Sequence, residues 1–256
     1  MREEILKRLQ RIEREEKVKI LYAVEAGSRV WGLSSENSDY DVRFIYIHPV
    51  DWYLSIDQRR DVIEYPIGDR LDISGWDLAK ALQLFRKSNP SLMEWLSSPI
   101  VYLNEYSVVD RLRKLSKEYF STKANIYHYL HMAKGNYRKY LADKQVELKK
   151  YFYVLRPLLA CQWMEKYQST PPMEFEKLLE LECFNQSLSN EIQRLLARKR
   201  SGEKLAMEAR IEIINDFIEE QLNYYQEYVR GIEDISPIGY DSLNQLFRTT
   251  LEEVWR

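Results

Sequence analysis

The chain has 256 residues, with 38 basic and 40 acidic side chains and a net charge of −2, so it lacks the overall positive excess that marks many nucleic-acid-binding proteins. Any contact with RNA or DNA has to come from a local patch. The length suffices for one large or two small domains with real cores, and no apolar run approaches a membrane span. Met1-Arg2-Glu3-Glu4 opens without an apolar signal region, and the cysteines, Cys161 and Cys183, sit in apolar helical settings that read as reduced core residues. These features predict a soluble, cytoplasmic protein with no membrane partner.

Ile5, Leu9 and Ile12 recur at helical spacing among charges and predict an amphipathic helix over 3–16. Val18, Ile20, Tyr22 and Val24 then switch to β-rich composition and predict a strand over 18–26. Gly27-Ser28 is a turn, with a short helix over 28–33 that Ser28 caps, followed by a polar loop over 34–38. The next strand runs over 40–47 and is closed by His48-Pro49. A brief helix over 49–54 and a charged loop over 57–61 lead to a hairpin, 62–67 and 71–76, joined by Gly68-Asp69-Arg70.

Asp77 reads as the N-terminal cap of a helix over 78–87, and Asn89-Pro90-Ser91 breaks that helix and starts another. From about residue 104 no strand pattern recurs: helices are predicted over 108–119, 123–141, 145–166, 172–181, 191–198 and 207–229, with a last one ending at Trp255. This change in composition divides the chain into an α/β (α+β) domain with a mixed sheet, 1–100, and an all-helical domain, 101–256.

The chemistry is concentrated in Ala26-Gly27-Ser28, a gap of ten residues, and Asp39-Tyr40-Asp41-Val42. Side chains two apart on a strand share a face, so Asp39 and Asp41 can grip Mg2+ or Mn2+ together. Gly27 leaves its N–H open to a close phosphate, and Ser28 adds a hydroxyl. Asp72, framed by Leu71 and Ile73, is a strand carboxylate that needs a partner, and a metal shared with Asp39 and Asp41 would serve. Glu64, also between strand-type neighbours, is the rival third ligand.

Joined in this order, the Gly-Ser turn and the Asp pair resemble the motif of the DNA polymerase beta nucleotidyltransferase superfamily. The fuller string from Glu25 to Leu33 and from Ser38 to Tyr46 is similar to the YcgL/RlaP group of that superfamily, as are Asn89-Pro90-Ser91, Glu94-Trp95-Leu96 and the stretch from Lys149 to Pro157. The resemblance implies a polymerase beta-like catalytic domain followed by a helical domain that closes the nucleotide cleft. It implies two metal ions on Asp39, Asp41 and Asp72, with Asp72 preferred over Glu64 because the superfamily's third carboxylate lies on a later strand of the same sheet. Gly27, Ser28, Arg29 and Ser38 are then expected at the nucleoside triphosphate, and Lys150 and Arg156 across the cleft from them, with Pro157 bending the helix to aim Arg156. The group's association with RNA repair implies an RNA acceptor. Two other readings stay open: a nucleotide-binding or interaction module without turnover, and nucleotidylation of a protein side chain.

Overall fold

The alternation that follows the first helix builds a five-stranded mixed sheet, seen in a computed structural model that describes residues 1–36, 38–65, 70–181, 184–203, 205, 207–233 and 238–256. Helix α1 (Arg2–Glu16) precedes β1 (Lys19–Glu25), the short α2 (Gly27–Val30) and β2 (Tyr40–Ile47). Then come α3 (Val50–Tyr53), β3 (Val62–Glu64), β4 (Leu71–Asp77), α4 (Leu78–Arg86), α5 (Pro90–Ser97), β5 (Val101–Asn104) and α6 (Val108–Tyr119). The strand order is β3-β4-β2-β1-β5, with β2 and β4 parallel and the other neighbours antiparallel. Residues 66–69, where the hairpin turn was expected, lie outside the described residues.

Alternation in β2 sorts its side chains between two cores. Val42, Phe44 and Tyr46 pack with Ile5, Leu9 and Ile12 of α1. Ile45 and Ile47 pack with Leu78 and Phe85 of α4, Trp95 of α5, Leu112 of α6 and Leu243 of the C-terminal helix, Asp241–Trp255. Gly75 of β4 pairs with Phe44, and a Cβ there would lie 2.2 Å from the Phe44 ring. Its lack of a side chain is what lets that ring cover the sheet.

The chain separates into two compact units, and their division differs from the one expected at residue 100. The sheet unit continues through β5 and α6 to Phe120 and regains the C-terminal helix. Four-residue β5 is too short to show a period, yet it supplies the outer partner of β1. The second unit takes Trp31–Ser38 and the helices α7 (Thr122–Tyr140), α8 (Tyr151–Tyr167), α9 (Phe175–Leu179), α10 (Gln186–Arg200) and α11 (Glu212–Gly231).

Two of the expected helices begin differently. Residues 145–147 and 207–209 form β6 (Gln145–Glu147) and β7 (Met207–Ala209), an antiparallel ribbon, and a 3-10 turn over Leu148–Lys150 separates β6 from α8. The ribbon ends where the Tyr151 hydroxyl accepts a bond from Ile211 N (2.8 Å) and donates one to buried Asn215. Here long-range pairing overrides local helical preference. Helix α8 runs on through Pro157; the proline leaves the Tyr153 carbonyl without its usual donor, and Asn136 Nδ2 of α7 takes that place at 3.3 Å.

Candidate functional site

The site is built at the end of the sheet where β1 hands the chain to Gly27. Ala26 N donates to Asp41 O at 2.8 Å, which locks the turn to the start of β2. Gly27 has φ +62°, and a Cβ on it would sit 2.1 Å from Asp41 Oδ2. Both the backbone angle and this close approach require glycine. The Asp41 carboxylate is thus seated directly against the Cα of the Gly-Ser turn.

The parallel register sets Asp41 beside Asp72, and Arg43, two residues further along β2, projects from the same face. Its Nη2 lies 2.7 Å from Asp72 Oδ2 and 3.5 Å from Asp41 Oδ1. Its Nη1 donates to Val42 O (3.0 Å) and Asp72 O (3.2 Å). Burial is the largest influence on Asp41 and pushes its pKa up to about 6; Arg43 opposes the shift, while Asp72, Glu25 and Asp39 add to it. One guanidinium therefore does not neutralise the negative charge gathered here.

Glu25 underlies this arrangement from the opposite face of the sheet. It is 0% exposed, accepts bonds from the Tyr102 hydroxyl and from Asp41 N (2.9 Å), and has the Arg29 guanidinium 3.9 Å away. Burial raises its pKa. Its own carbonyl accepts from Ser98 Oγ at 2.7 Å and its N–H donates to Ile100 O at 2.9 Å. Both carboxylate oxygens, the carbonyl and the N–H of Glu25 are thereby engaged.

The other expected site residues are placed as follows. Asp39 is exposed just before β2; its carbonyl accepts from Arg29 Nε at 3.0 Å, and the Arg29 guanidinium stacks 3.6 Å over the Tyr40 ring. Helix α2 starts at Gly27 and includes Ser28, so Ser28 does not precede the helix as a cap. Ser38 closes a turn, bonding Ser35 N through its hydroxyl (2.9 Å) and Ser35 O through its N–H (3.0 Å).

Lys150 sits over the Tyr140 and Tyr153 rings at 4.3 and 5.0 Å, with Glu147 at 3.9 Å. Arg156 is only 2% exposed, lies 4.6 Å over the Trp31 ring and donates to Met173 O at 3.5 Å. Glu64 is exposed and paired with Arg60. Asp77 caps α4 through Ala79 N (2.8 Å) and accepts from the Tyr53 hydroxyl (2.7 Å). Cys161 is buried, which raises its thiol pKa, and Cys183 lies outside the described residues.

The structure brings Asp41, Asp72 and Gly27 together and leaves Asp39 at the rim. Among the described residues no three His, Cys, Asp or Glu side chains converge closely enough to hold a metal. By donor chemistry the Asp41–Asp72 pair fits a hard divalent cation such as Mg2+ or Mn2+, because both supply carboxylate oxygens and the two share a single guanidinium, that of Arg43. Sequence reasoning missed the parts played by Glu25 and Arg43. The available signals were a carboxylate ending the uncharged run 20–24 of β1 and a lone cation inside the otherwise uncharged stretch 42–47 of β2.

The model of the RNA repair pathway DNA polymerase beta family, RlaP, matches residues 1–249. The chain belongs to this family. An uncharacterized protein, YcgL of Bacillus subtilis (strain 168), is 50% identical over 256 residues, spanning 100% of this chain and 98% of that protein. A nucleotidyltransferase-like protein from Exiguobacterium sibiricum 255-15, solved by crystallography, is 14% identical with a TM-score of 0.31, over 98% of this chain and 81% of that one. Membership of the RlaP family supports a nucleotidyltransferase-like role for the chain. Among the described residues, no helix of this RlaP-family member is long and apolar enough to cross a membrane.

Proposed function

We propose that the protein is a metal-dependent nucleotidyltransferase that moves a nucleoside monophosphate from a nucleoside triphosphate to an acceptor hydroxyl, with RNA as the acceptor. The observation that carries the reading is the Asp41 carboxylate seated on the Cα of Gly27 with Asp72 in register beside it, in a chain of a polymerase beta family. Asp41 and Asp72, with Asp39 at the rim, would hold a divalent cation, and that cation would supply positive charge for activating the hydroxyl and stabilising the phosphates.

The residues of the chain do the positioning. Gly27 exposes backbone to the triphosphate, and Ser28 and Arg29 follow it with a hydroxyl and a cation. Glu25 holds the Asp41 backbone N–H, and Tyr102 holds Glu25, so the carboxylate pair stands on a fixed base. The acceptor oxygen bonds to the α-phosphorus as the bond to the β-phosphate oxygen breaks. Pyrophosphate leaves, and the Asp41–Asp72 pair takes the hydroxyl proton.

One observation favours a second reading, nucleotide binding without turnover: Arg43 bridges the carboxylates that the reaction needs. Incubation of the protein with each α-labelled triphosphate, Mg2+ or Mn2+ and a pool of RNAs separates the two. Label in RNA supports transfer. Triphosphate binding without label in RNA supports the binding module, and label on the protein replaces RNA with a protein acceptor.

A further inference from the structure

We propose that Arg43 is a cationic placeholder, an autoinhibitory contact that holds Asp41 and Asp72 together in the cation-free protein and has to leave their facing oxygens before a divalent cation can join them. The inference rests on the reading of the pair as a metal site. Its basis is that both roles, offsetting part of the pair's charge and blocking it, fall on one nitrogen. Nη2 lies 2.7 Å from Asp72 Oδ2 and 3.5 Å from Asp41 Oδ1. A Mg2+ ion shared by those oxygens would stand roughly 2.0 to 2.1 Å from each, in the space that nitrogen holds. A guanidinium and a dication that close also repel strongly.

The remaining oxygen of Asp41 offers no easy detour. Oδ2 is the atom pressed against Gly27, 2.1 Å from where a Cβ would be, so one oxygen of Asp41 faces the turn and the other faces Arg43. Without Arg43 the two in-register carboxylates repel each other, so the guanidinium makes their close approach tolerable before a cation arrives. Arg43 can also leave. It is 20% exposed on a flexible stem, and among the described residues its other bonds are single ones from Nη1 to the carbonyls of Val42 and Asp72. Once displaced it remains at the site as a free cation, which the phosphates of an incoming triphosphate can engage.

The contact therefore lowers affinity for the cation alone, and removing it raises that affinity. The test is a titration of the full chain with Mn2+, following free Mn2+ by electron paramagnetic resonance, for the wild type, Arg43→Gln, Arg43→Lys and the double variant Asp41→Asn, Asp72→Asn. Arg43→Gln is expected to bind Mn2+ about tenfold tighter than the wild type, and Arg43→Lys to fall between them, at about threefold. In EDTA, Arg43→Gln melts below the wild type, and Mn2+ raises its melting temperature by more.

Should Arg43→Gln fail to fold in EDTA, the charge-keeping Arg43→Lys carries the test alone. A purely structural ion pair would lower the melting temperature and leave Mn2+ affinity unchanged. That result, or weaker binding by both variants, overturns the placeholder while the metal site stands on the wild-type binding lost in the double Asp variant. Mn2+ binding that no Asp substitution alters, or none in any protein, overturns the metal site and the placeholder together.

Discussion

Two carboxylates at opposite ends of the β2–β4 pair, half-buried Asp41 and buried Asp77, have the same pushed-up pKa of about 6 and the same leading cause, desolvation. Their surroundings differ. Asp77 is 1% exposed and fully bonded, with Ala79 N on one oxygen and the Tyr53 hydroxyl on the other. Asp41 has a glycine Cα against one oxygen, a shared guanidinium at 3.5 Å from the other, and three further carboxylates raising its pKa. A raised pKa alone therefore does not mark the reactive end of the sheet. What marks it is an accessible carboxylate crowded by like charge.

The largest effects should separate these ends outright. Asp41→Asn and Asp72→Asn are each expected to reduce labelled-nucleotide transfer by about a thousandfold or more, and the double variant to lose little beyond that, as for residues that act as a unit. Neither should lower stability in EDTA by much, because each relieves repulsion. Asp77→Ala should do the reverse, costing about 1 to 3 kcal/mol in urea unfolding through the lost cap and the stranded Tyr53 hydroxyl, with transfer per folded molecule kept. Loss of transfer in Asp77→Ala at full folding would collapse the distinction.

Two glycines sharpen the same contrast with smaller effects. Gly27→Ala places a methyl into Asp41 Oδ2 on a backbone with φ +62°, so transfer should fall by about a hundredfold as the carboxylate is displaced. Gly75→Ala drives a methyl into the Phe44 ring and should cost about 1 to 3 kcal/mol by overpacking, with transfer kept in the folded fraction. Parallel assays of activity and unfolding check both. In the helical unit, Arg156→Ala removes a packed cation from the Trp31 ring and should cost about 1 to 2 kcal/mol. Lys150→Ala, which loses ring contacts and a 3.9 Å ion pair, should stay within about 0.5 kcal/mol.

The parts legible from the chain were those whose signal is local. The bounds of β2 and α6 coincide with the expected 40–47 and 108–119 because alternation and helical periodicity are unbroken across them. Asp77 was legible as a cap because it sits immediately before a helical run. Arg43 was not, since its bridging position depends on β4 lying parallel beside β2 in one register, and the chain between them carries no mark of that crossover. Glu25 was hidden for a related reason: its burial follows from Tyr102 on β5, a strand too short to announce itself. The β6–β7 ribbon failed because three-residue strands hold too few positions to compete with the helices they adjoin.

A further expected effect concerns pH, and it probes the two carboxylates in one experiment. Each has a folded pKa near 6 against an ordinary value near 3.8, so the folded protein binds protons more tightly than the unfolded chain between those limits. Each therefore contributes stability that is present below about pH 4 and is lost as pH rises through about 6. His48 works against them: burial and nearby Arg59 lower its pKa to about 4, so its contribution grows as pH rises over the same window. Subtracting variant from wild type isolates each carboxylate. Asp41→Asn should gain about 1 to 2 kcal/mol on the wild type at pH 7.5 and lose that advantage by pH 4.5. Asp77→Asn should show the same pH slope, offset downward by whatever its altered bonds cost. Millimolar Mg2+ should then break the symmetry, because a cation on Asp41 competes with its proton and removes its share of the slope, while Asp77 has no access to the ion. Urea unfolding from pH 4.5 to 7.5, with Mg2+ and with EDTA, measures this, and equal flattening for both carboxylates, or for neither, would deny Asp41 its cation.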